Sequence, residues 1–291
     1  MTLKHRKFKT FIYKNFHISF TSKNFIKGLA YLFVFYPYYK TKLWLTKKIK
    51  GIKKPIIHYY CVCWNEEVML PYIFNDHSDF VTHFFICDNG STDNSLKIIE
   101  KQPNASVIHY DSNNEFNVQT NTHIKNQVWK RSRGKADYVI VVDADEFLYH
   151  PDLQNFLKTT KHSIFKAKGF DMITETMPET NSLVENVKTG EFLWSESKVI
   201  MFDPNKIVNV NFVEGCHYCF PFGIVSYSKW EVKLLHYKYL TFDYLMSRVN
   251  SFRQKYSQEL RKKGFGAHYY DKDERHRNRF QHLVENAKEV I

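Results

Sequence analysis

Tyr138-Val139-Ile140-Val141-Val142-Asp143-Ala144-Asp145-Glu146-Phe147 is the stretch on which the fold turns. Its first half is apolar throughout, as a strand buried on both faces of a parallel sheet must be. Its second half delivers three acids at the carboxyl end of that strand. An Asp-x-Asp there points two carboxylates to one side, which suits a hard divalent cation that keeps positions open for diphosphate oxygens. The plainer reading is a turn with solvated acids, and two further polar strand ends upstream weigh against it.

Those ends emerge on working outward. From Pro55 onward, short apolar runs alternate with amphipathic ones, the pattern of βα units and an α/β fold with a mainly parallel sheet. Ile56 to Cys63 reads as a strand, with Asn65 capping a helix that carries Glu66 and Glu67 in its first turn. Thr82 to Cys87 is a second strand, running into Asp88-Asn89-Gly90-Ser91-Thr92-Asp93 and a helix to about Glu100. Ala105 to Tyr110 is a third, followed by an Asn-rich loop and a helix over Val118 to Arg131. In open α/β sheets the ligand crevice lies at the carboxyl ends of the strands, where all three polar clusters fall. Further strands are expected at Ser163 to Lys168, Lys198 to Phe202 and Val232 to His236, with a long irregular stretch, Asp171 to Ser197, of the kind that houses lids and acceptor sites. Phe242, Leu245, Val249, Phe252, Tyr256 and Leu260 have helical spacing, as does the tail after Asp273. The chain divides into an arm (1–54), an α/β domain (55–240) whose pattern changes at about 150, and a C-terminal helical segment (241–291).

Cys63-Trp64-Asn65-Glu66-Glu67, Cys87-Asp88-Asn89-Gly90-Ser91-Thr92-Asp93 and Val142-Asp143-Ala144-Asp145-Glu146-Phe147 resemble the successive signature segments of family 2-like glycosyltransferases with a GT-A fold. Gly215-Cys216-His217 and Leu234-Leu235-His236-Tyr237-Lys238-Tyr239 resemble, more loosely, segments of a bacterial branch of these enzymes. The resemblance implies a Rossmann-like, mainly parallel sheet flanked by helices, a catalytic domain over 55–240 with its nucleotide-sugar half to about 150 and its acceptor half after it, a nucleotide-sugar donor with UDP foremost, and Mn2+ or Mg2+. It implies that Asn65 and Glu66 border the nucleoside, that Asp88 and Asn89 bind base or ribose, that Asp143 touches ribose or a metal-bound water, and that Asp145 ligates the metal. Many relatives have two acids where this chain has Asp88-Asn89, although an Asn amide still reads a pyrimidine edge. His236, after an apolar run, is the candidate third ligand, and Asp143 belongs to the same expected metal set. His217 is assigned to diphosphate or acceptor. An inverting transfer needs a base on the acceptor side. Asp171, Glu175, Glu191, Glu196 and Glu214 are the acids available, and Asp171 is placed best by position.

The net charge of +12 is uneven: residues 1–54 hold 14 Lys or Arg and no acid, leaving the remainder at −2. Cations interleaved with Tyr31-Leu32-Phe33-Val34-Phe35-Tyr36 and Leu43-Trp44-Leu45 read as a segment lying on an anionic membrane surface, or as an arm whose aromatic half packs on the catalytic domain. The uncharged interval from Gly28 to Tyr39 falls short of the roughly 20 residues that span a bilayer. No nucleic-acid motif accompanies the charge, so nucleic acid is not an expected partner. Five scattered cysteines suit free thiols in the cytoplasm, with peripheral contact on the inner face of the membrane. Cys216-His217-Tyr218-Cys219 lacks the second ligand pair a zinc site needs. A glycan or lipid-linked acceptor fits such a location. The competing readings are a nucleotidyltransferase, which would need a Gly-rich basic loop where Trp64-Asn65-Glu66-Glu67 stands, and a non-catalytic basic adaptor, which leaves Asp143-Ala144-Asp145 unexplained.

Overall fold

Four strands, β1 (Ile57–Cys63), β2 (His83–Asp88), β3 (Ala105–His109) and β4 (Tyr138–Asp143), pair in parallel in the order β3-β2-β1-β4. Their register sets Cys63 opposite Asp88 and Val62 opposite Asp143, so the three polar loops leave the sheet in one row. The computed structural model describes residues 22–112, 117–255 and 267–291. The first part of the basic arm, the middle of the Asn-rich loop and the helix expected beyond Lys255 to Leu260 lie outside the described residues.

Beyond β4 the sheet continues as β8 (Val199–Phe202), β6 (Ile164–Met172), β7 (Thr189–Phe192) and β12 (Lys288–Glu289), each antiparallel to its neighbour. Strand β11 (Tyr227–His236) pairs parallel with β6 and antiparallel with β5 (Glu146–Tyr149). Strands β9 (Ile207–Asn209) and β10 (Phe222–Gly223) form a separate short pair. The architecture is α/β, with central parallel strands and helices on both faces.

Alternation along β1 and β4 shows why β4 is apolar throughout. Tyr59, Cys61, Cys63, Ile140 and Val142 enter one core with Leu70, Ile73 and Leu153, while Tyr60, Val139 and Val141 enter the other with Trp129 and Phe202. Each such large side chain contributes about 1.5–3 kcal/mol of burial. Cys61 and Cys63 are core residues of one face, and all five cysteines are free.

Among the described residues the α-helices are α1 (Ser22–Ala30), α2 (Tyr36–Lys50), α3 (Leu70–His77), α4 (Ser95–Glu100), α5 (Val118–Gln127), α6 (Leu153–Thr159), α7 (Leu183–Asn186), α8 (Phe242–Lys255) and α9 (Asp273–Asn286). A π-helical turn, Tyr31–Phe35, joins α1 to α2, and Gly51 at φ 65° ends α2 with its N–H on the carbonyls of Lys47 and Lys48. Asn117 caps α5 through Thr120 N at 2.9 Å, worth about 1 kcal/mol.

Three expectations need correction. Asn65 caps no helix: it sits at φ 53°, and α3 begins five residues later, with Pro71 in its first turn. The stretch Asp171 to Ser197 is not irregular, since it holds the end of β6, α7, β7 and a 3-10 turn, Trp194–Glu196. The helix over Val118 to Arg131 tightens after Gln127 into a 3-10 turn, Val128–Ser132, that buries Trp129.

Two buried histidines give the fold an acid limit. His77 is packed against Tyr59, Phe147 and Phe80, and burial pushes it down to about 4; burial does the same to His58, with His83 and Lys135 adding to it. A histidine with a depressed folded pKa has no effect above its unfolded value near 6.5, and the fold loses stability as pH falls from there toward 4. At pH 5 each costs about 2 kcal/mol. The melting temperature should therefore drop between pH 7.5 and 5 by circular dichroism, and His77→Phe, which keeps the ring packing, should reduce that drop. An equal drop in the variant would clear His77 of the effect.

Candidate active site

The row of loops is folded by its own polar residues. The Asp88 carboxylate accepts from Gly90 N at 3.1 Å and Ser91 N at 3.2 Å, closing a turn in which Gly90 takes φ +69°. Asn65, in its left-handed conformation, reaches across to accept from Thr92 N at 2.8 Å, while Glu66 N and Glu67 N donate to Ser95 Oγ and Asp93 Oδ2. The first two loops are thereby locked as one wall. Asn89 exchanges hydrogen bonds with Ser112 and lines the cleft, whereas Asp88 is 1% exposed and does not.

The cleft beside this wall is lined by Trp64, Glu66, Asn89, Asp143 to Glu146, Glu196, Lys198, His217, His236 and Arg248 among others. Acids and bases alternate across it. Lys125 Nζ lies 2.6 Å from Asp143 Oδ1, Lys198 pairs with Glu146, His236 Nε2 lies 3.6 Å from Asp145 Oδ2, and Arg248 donates to Glu66 at 2.5 Å. Burial would lower Lys125, but Asp143 more than offsets it and holds the lysine charged, above its ordinary value. Burial likewise works against charge on Asp145 and Glu146, and is outweighed by His236 at the first and Lys198 at the second, so both carboxyls stay below the usual range. Glu66 goes the other way: burial pushes it up to about 8 against the pull of Arg248.

Among the described residues, one group of three can ligate a cation. Asp145, Glu146 and His236 each offer an atom within 4.8 Å of the others. His236 Nδ1 donates to Asp171 Oδ1 at 2.8 Å, which turns Nε2 toward Asp145; burial opposes charge on the imidazole, but Asp145, with Asp171 behind it, holds it protonated above its ordinary range, and a bound cation would take the place of the Nε2 proton. A carboxylate behind a histidine is the usual support of a metal ligand. Two carboxylates and one imidazole suit Mn2+, and the carboxylates suit Mg2+. Glu146 is also committed elsewhere, since it pairs with Lys198 and accepts from Asp143 N at 3.0 Å. Asp143 stands outside the group, held by Lys125.

Asp171 is 2% exposed, carries His236 and, at 3.5 Å, Arg279, and does not line the cleft. That geometry fits a positioning residue rather than a base. Of the five acids considered for the base, only Glu196 lines the cleft; Glu191 is taken by Arg279 at 3.0 Å. His217 lines the cleft too, its Nδ1 donating to Ser195 O at 2.7 Å. Lys125, Lys198 and Arg248 escaped the reading of the sequence. A signal existed for two of them: Lys198 directly precedes the all-apolar run Val199–Phe202, and Arg248 falls on the apolar stripe of Leu245, Val249 and Phe252.

Residues 61–163 match the profile of the family described as Glycosyl transferase family 2. No curated protein matches the chain. Among solved structures, one titled as a mycobacterial protein is 17% identical over 42% of this chain and 43% of its own, with a TM-score of 0.27. Glucosyl-3-phosphoglycerate synthase from Mycobacterium tuberculosis, in complex with Mn2+, UDP and phosphoglyceric acid, is 18% identical over 44% of this chain and 47% of its own, TM-score 0.27. HddC from Yersinia pseudotuberculosis is 9% identical over 66% of this chain and 96% of its own, TM-score 0.35. The chain spans under half the length of the first two.

Proposed function

We propose that this chain, whose residues 61–163 match the glycosyltransferase family 2 profile, transfers a sugar from a nucleotide-sugar, a UDP-sugar foremost, to a glycan or lipid-linked acceptor. One observation carries the reading: the turn Asp143 to Glu146, at the end of β4, meets His236, at the end of β11, inside a cleft walled by Trp64, Glu66 and Asn89. Asn89 and Trp64 take the nucleoside, while Asp88 and Asn65 shape the loops that hold it. Asp145 and His236 hold Mn2+ or Mg2+, with Glu146 beside them and Asp171 orienting the imidazole. When bound, the cation neutralises charge on the departing diphosphate. Lys198, Arg248 and His217 add fixed donors on the same side. Glu196 takes the acceptor hydroxyl proton in an inverting transfer.

UDP with MnCl2 should raise the melting temperature of the full chain by about 5 °C or more at concentrations well above Kd, and MnCl2 alone by less. No shift with any nucleoside diphosphate would remove the reading. A nucleotidyltransferase fits less well, because the loop after β1 is acidic and tied to its neighbour.

The arm is proposed to rest on an anionic membrane surface, which suits a lipid-linked acceptor and assembly of a surface polysaccharide or lipo-oligosaccharide. Its helical run docks through Tyr31, which donates to Asn205 O at 2.9 Å, through Leu43, and through Lys47, 2.8 Å from Asp137. Phe33, Val34, Tyr38, Trp44 and Ile49 remain exposed, alongside the exposed Lys40, Lys42, Lys48 and Lys50. No helix among the described residues is long and apolar enough to cross a membrane. The triple variant Phe33→Ser, Trp44→Ser, Ile49→Ser should lose sedimentation with phosphatidylserine vesicles yet keep its response to UDP and MnCl2. Binding of the unaltered chain should also weaken as salt rises, since charges are screened beyond roughly 8 Å at physiological ionic strength. Vesicle binding by the triple variant at full strength would remove these rings from the contact, and no binding by the unaltered chain at low salt would assign the arm to packing alone.

A further inference from the structure

The acceptor half of the sheet carries an aromatic and cationic surface that the donor site does not use. Phe192, Trp194 and Trp230 stand edge to face, Trp194 to Trp230 at 5.5 Å and Phe192 to Trp230 at 6.0 Å, and are 40%, 54% and 37% exposed. Lys229 lies 4.5 Å from the Trp230 ring centre, Lys166 5.2 Å from Trp194, and Lys168 5.2 Å from Phe192. No ion pair among the described residues takes any of the three lysines.

Single exposed rings are ordinary, but three in contact, rimmed by unneutralised cations, mark a binding surface. Its backbone is set with unusual care. Trp230 sits at φ +67°, a region bulky residues rarely occupy, where β11 slips register against β6 between Lys229 and Lys233; such strain gathers at functional positions. The turn bearing Trp194 lies directly on Gly169, where an added Cβ would come 2.4 Å from the Glu196 backbone. That same turn supplies Glu196 to the cleft and the Ser195 carbonyl to His217. Platform and cleft are thus joined through one three-residue turn.

We infer that Phe192, Trp194 and Trp230, with Lys166, Lys168 and Lys229, form a platform for an anionic acceptor glycan, its sugar ring stacked on the indoles and its carboxylate or phosphate groups on the lysines. This rests on the glycosyl-transfer reading and adds the acceptor's chemical class. The flat apolar face of a pyranose suits the rings, and a neutral sugar would leave three cations unanswered.

The test is calorimetric titration of the full chain with tetragalacturonate and, separately, with neutral maltotetraose. Tetragalacturonate should bind at least tenfold more tightly. Trp194→Ala should weaken it tenfold or more, and Lys168→Ala with Lys229→Ala should erase the preference, all variants keeping the thermal response to UDP and MnCl2. Equal binding of the two saccharides, or unchanged binding by Trp194→Ala, overturns the proposal. So does loss of phosphatidylserine-vesicle binding by Trp194→Ala without any saccharide binding, which would make this face a lipid contact. Saccharide binding with no response to UDP and MnCl2 would instead sink the transferase reading and leave a glycan-binding surface.

Discussion

Asp145→Ala is expected to abolish transfer, with kcat/KM falling at least about 10³-fold, beyond the roughly 10- to 100-fold losses that follow removal of an outer support of a metal site. Asp145 is the carboxylate of the turn that directly faces His236, and it is held ionised against burial by His236, with Arg248 and Lys198 assisting. Its removal leaves those cations facing one another with the proposed metal-binding group broken. The fold should survive, because the structural work of this residue is done by its backbone carbonyl, which accepts Tyr237 N at 2.7 Å and remains in the variant. A graded series sharpens the result. Asp171→Asn keeps the imidazole packed but weakens its orientation, so it should reduce apparent Mn2+ affinity by about 10- to 100-fold, less than the loss from Asp145→Ala. The readouts are metal-dependent hydrolysis or transfer of UDP-sugars, the thermal response to UDP and MnCl2, and circular dichroism as the control on folding. A normally folded Asp145→Ala protein with undiminished response to UDP and MnCl2 would place the nucleotide elsewhere.

The first four strands were legible because β1 and β4 are buried along nearly their whole length and read as apolar runs ended by polar loops, with β2 and β3 paired beside them. β1 to β4 lie where the pattern puts them, to within a residue or two. The later strands were less legible for physical reasons that differ from strand to strand. β5 is four residues long and begins at an acid, β7 contains a glycine and a glutamate, and β12 is two residues at the sheet edge. β11 is half exposed along its first part, so Lys229, Glu231 and Lys233 interrupt its apolar pattern. Asn65 looked like a cap because caps and left-handed turns draw on the same residue types; Pro71, favoured at the start of a helix, marked the true beginning. In the site, the acids were visible as a motif and His236 by its place after an apolar run, but the two lysines and the arginine were not. Lys125, Lys198 and Arg248 meet their partners across 18, 52 and 182 positions of sequence, and only the folded sheet brings them together. The same holds for Asp171: the pattern marked it as an acid after a strand, and the register between β6 and β11 sets it opposite His236.

Glu196→Gln should lower kcat by about 10²- to 10⁴-fold, the range ascribed to a positioned general base, while the response to UDP and MnCl2 stays intact. Of Asp171, Glu175, Glu191, Glu196 and Glu214, Glu196 alone lines the cleft, and it lies outside the proposed metal-binding group. Its Oε2 is 3.9 Å from Lys198 Nζ, whose nearer partner is Glu146, so the carboxylate is neighboured by a cation without being committed to it. It stands on the turn that also carries Trp194, and Gly169 beneath fixes that turn against β6. Glutamine preserves the volume and one oxygen but cannot take the hydroxyl proton. A base lost in this way lowers kcat with little change in the KM for donor; a residue that only seats the acceptor would raise the acceptor KM and leave kcat near normal. The product's anomeric configuration, read by NMR, gives the second arm. An inverted product with kcat reduced at least 100-fold supports the assignment, whereas a retained configuration, or a kcat within about threefold of the unaltered enzyme, removes Glu196 from the base role.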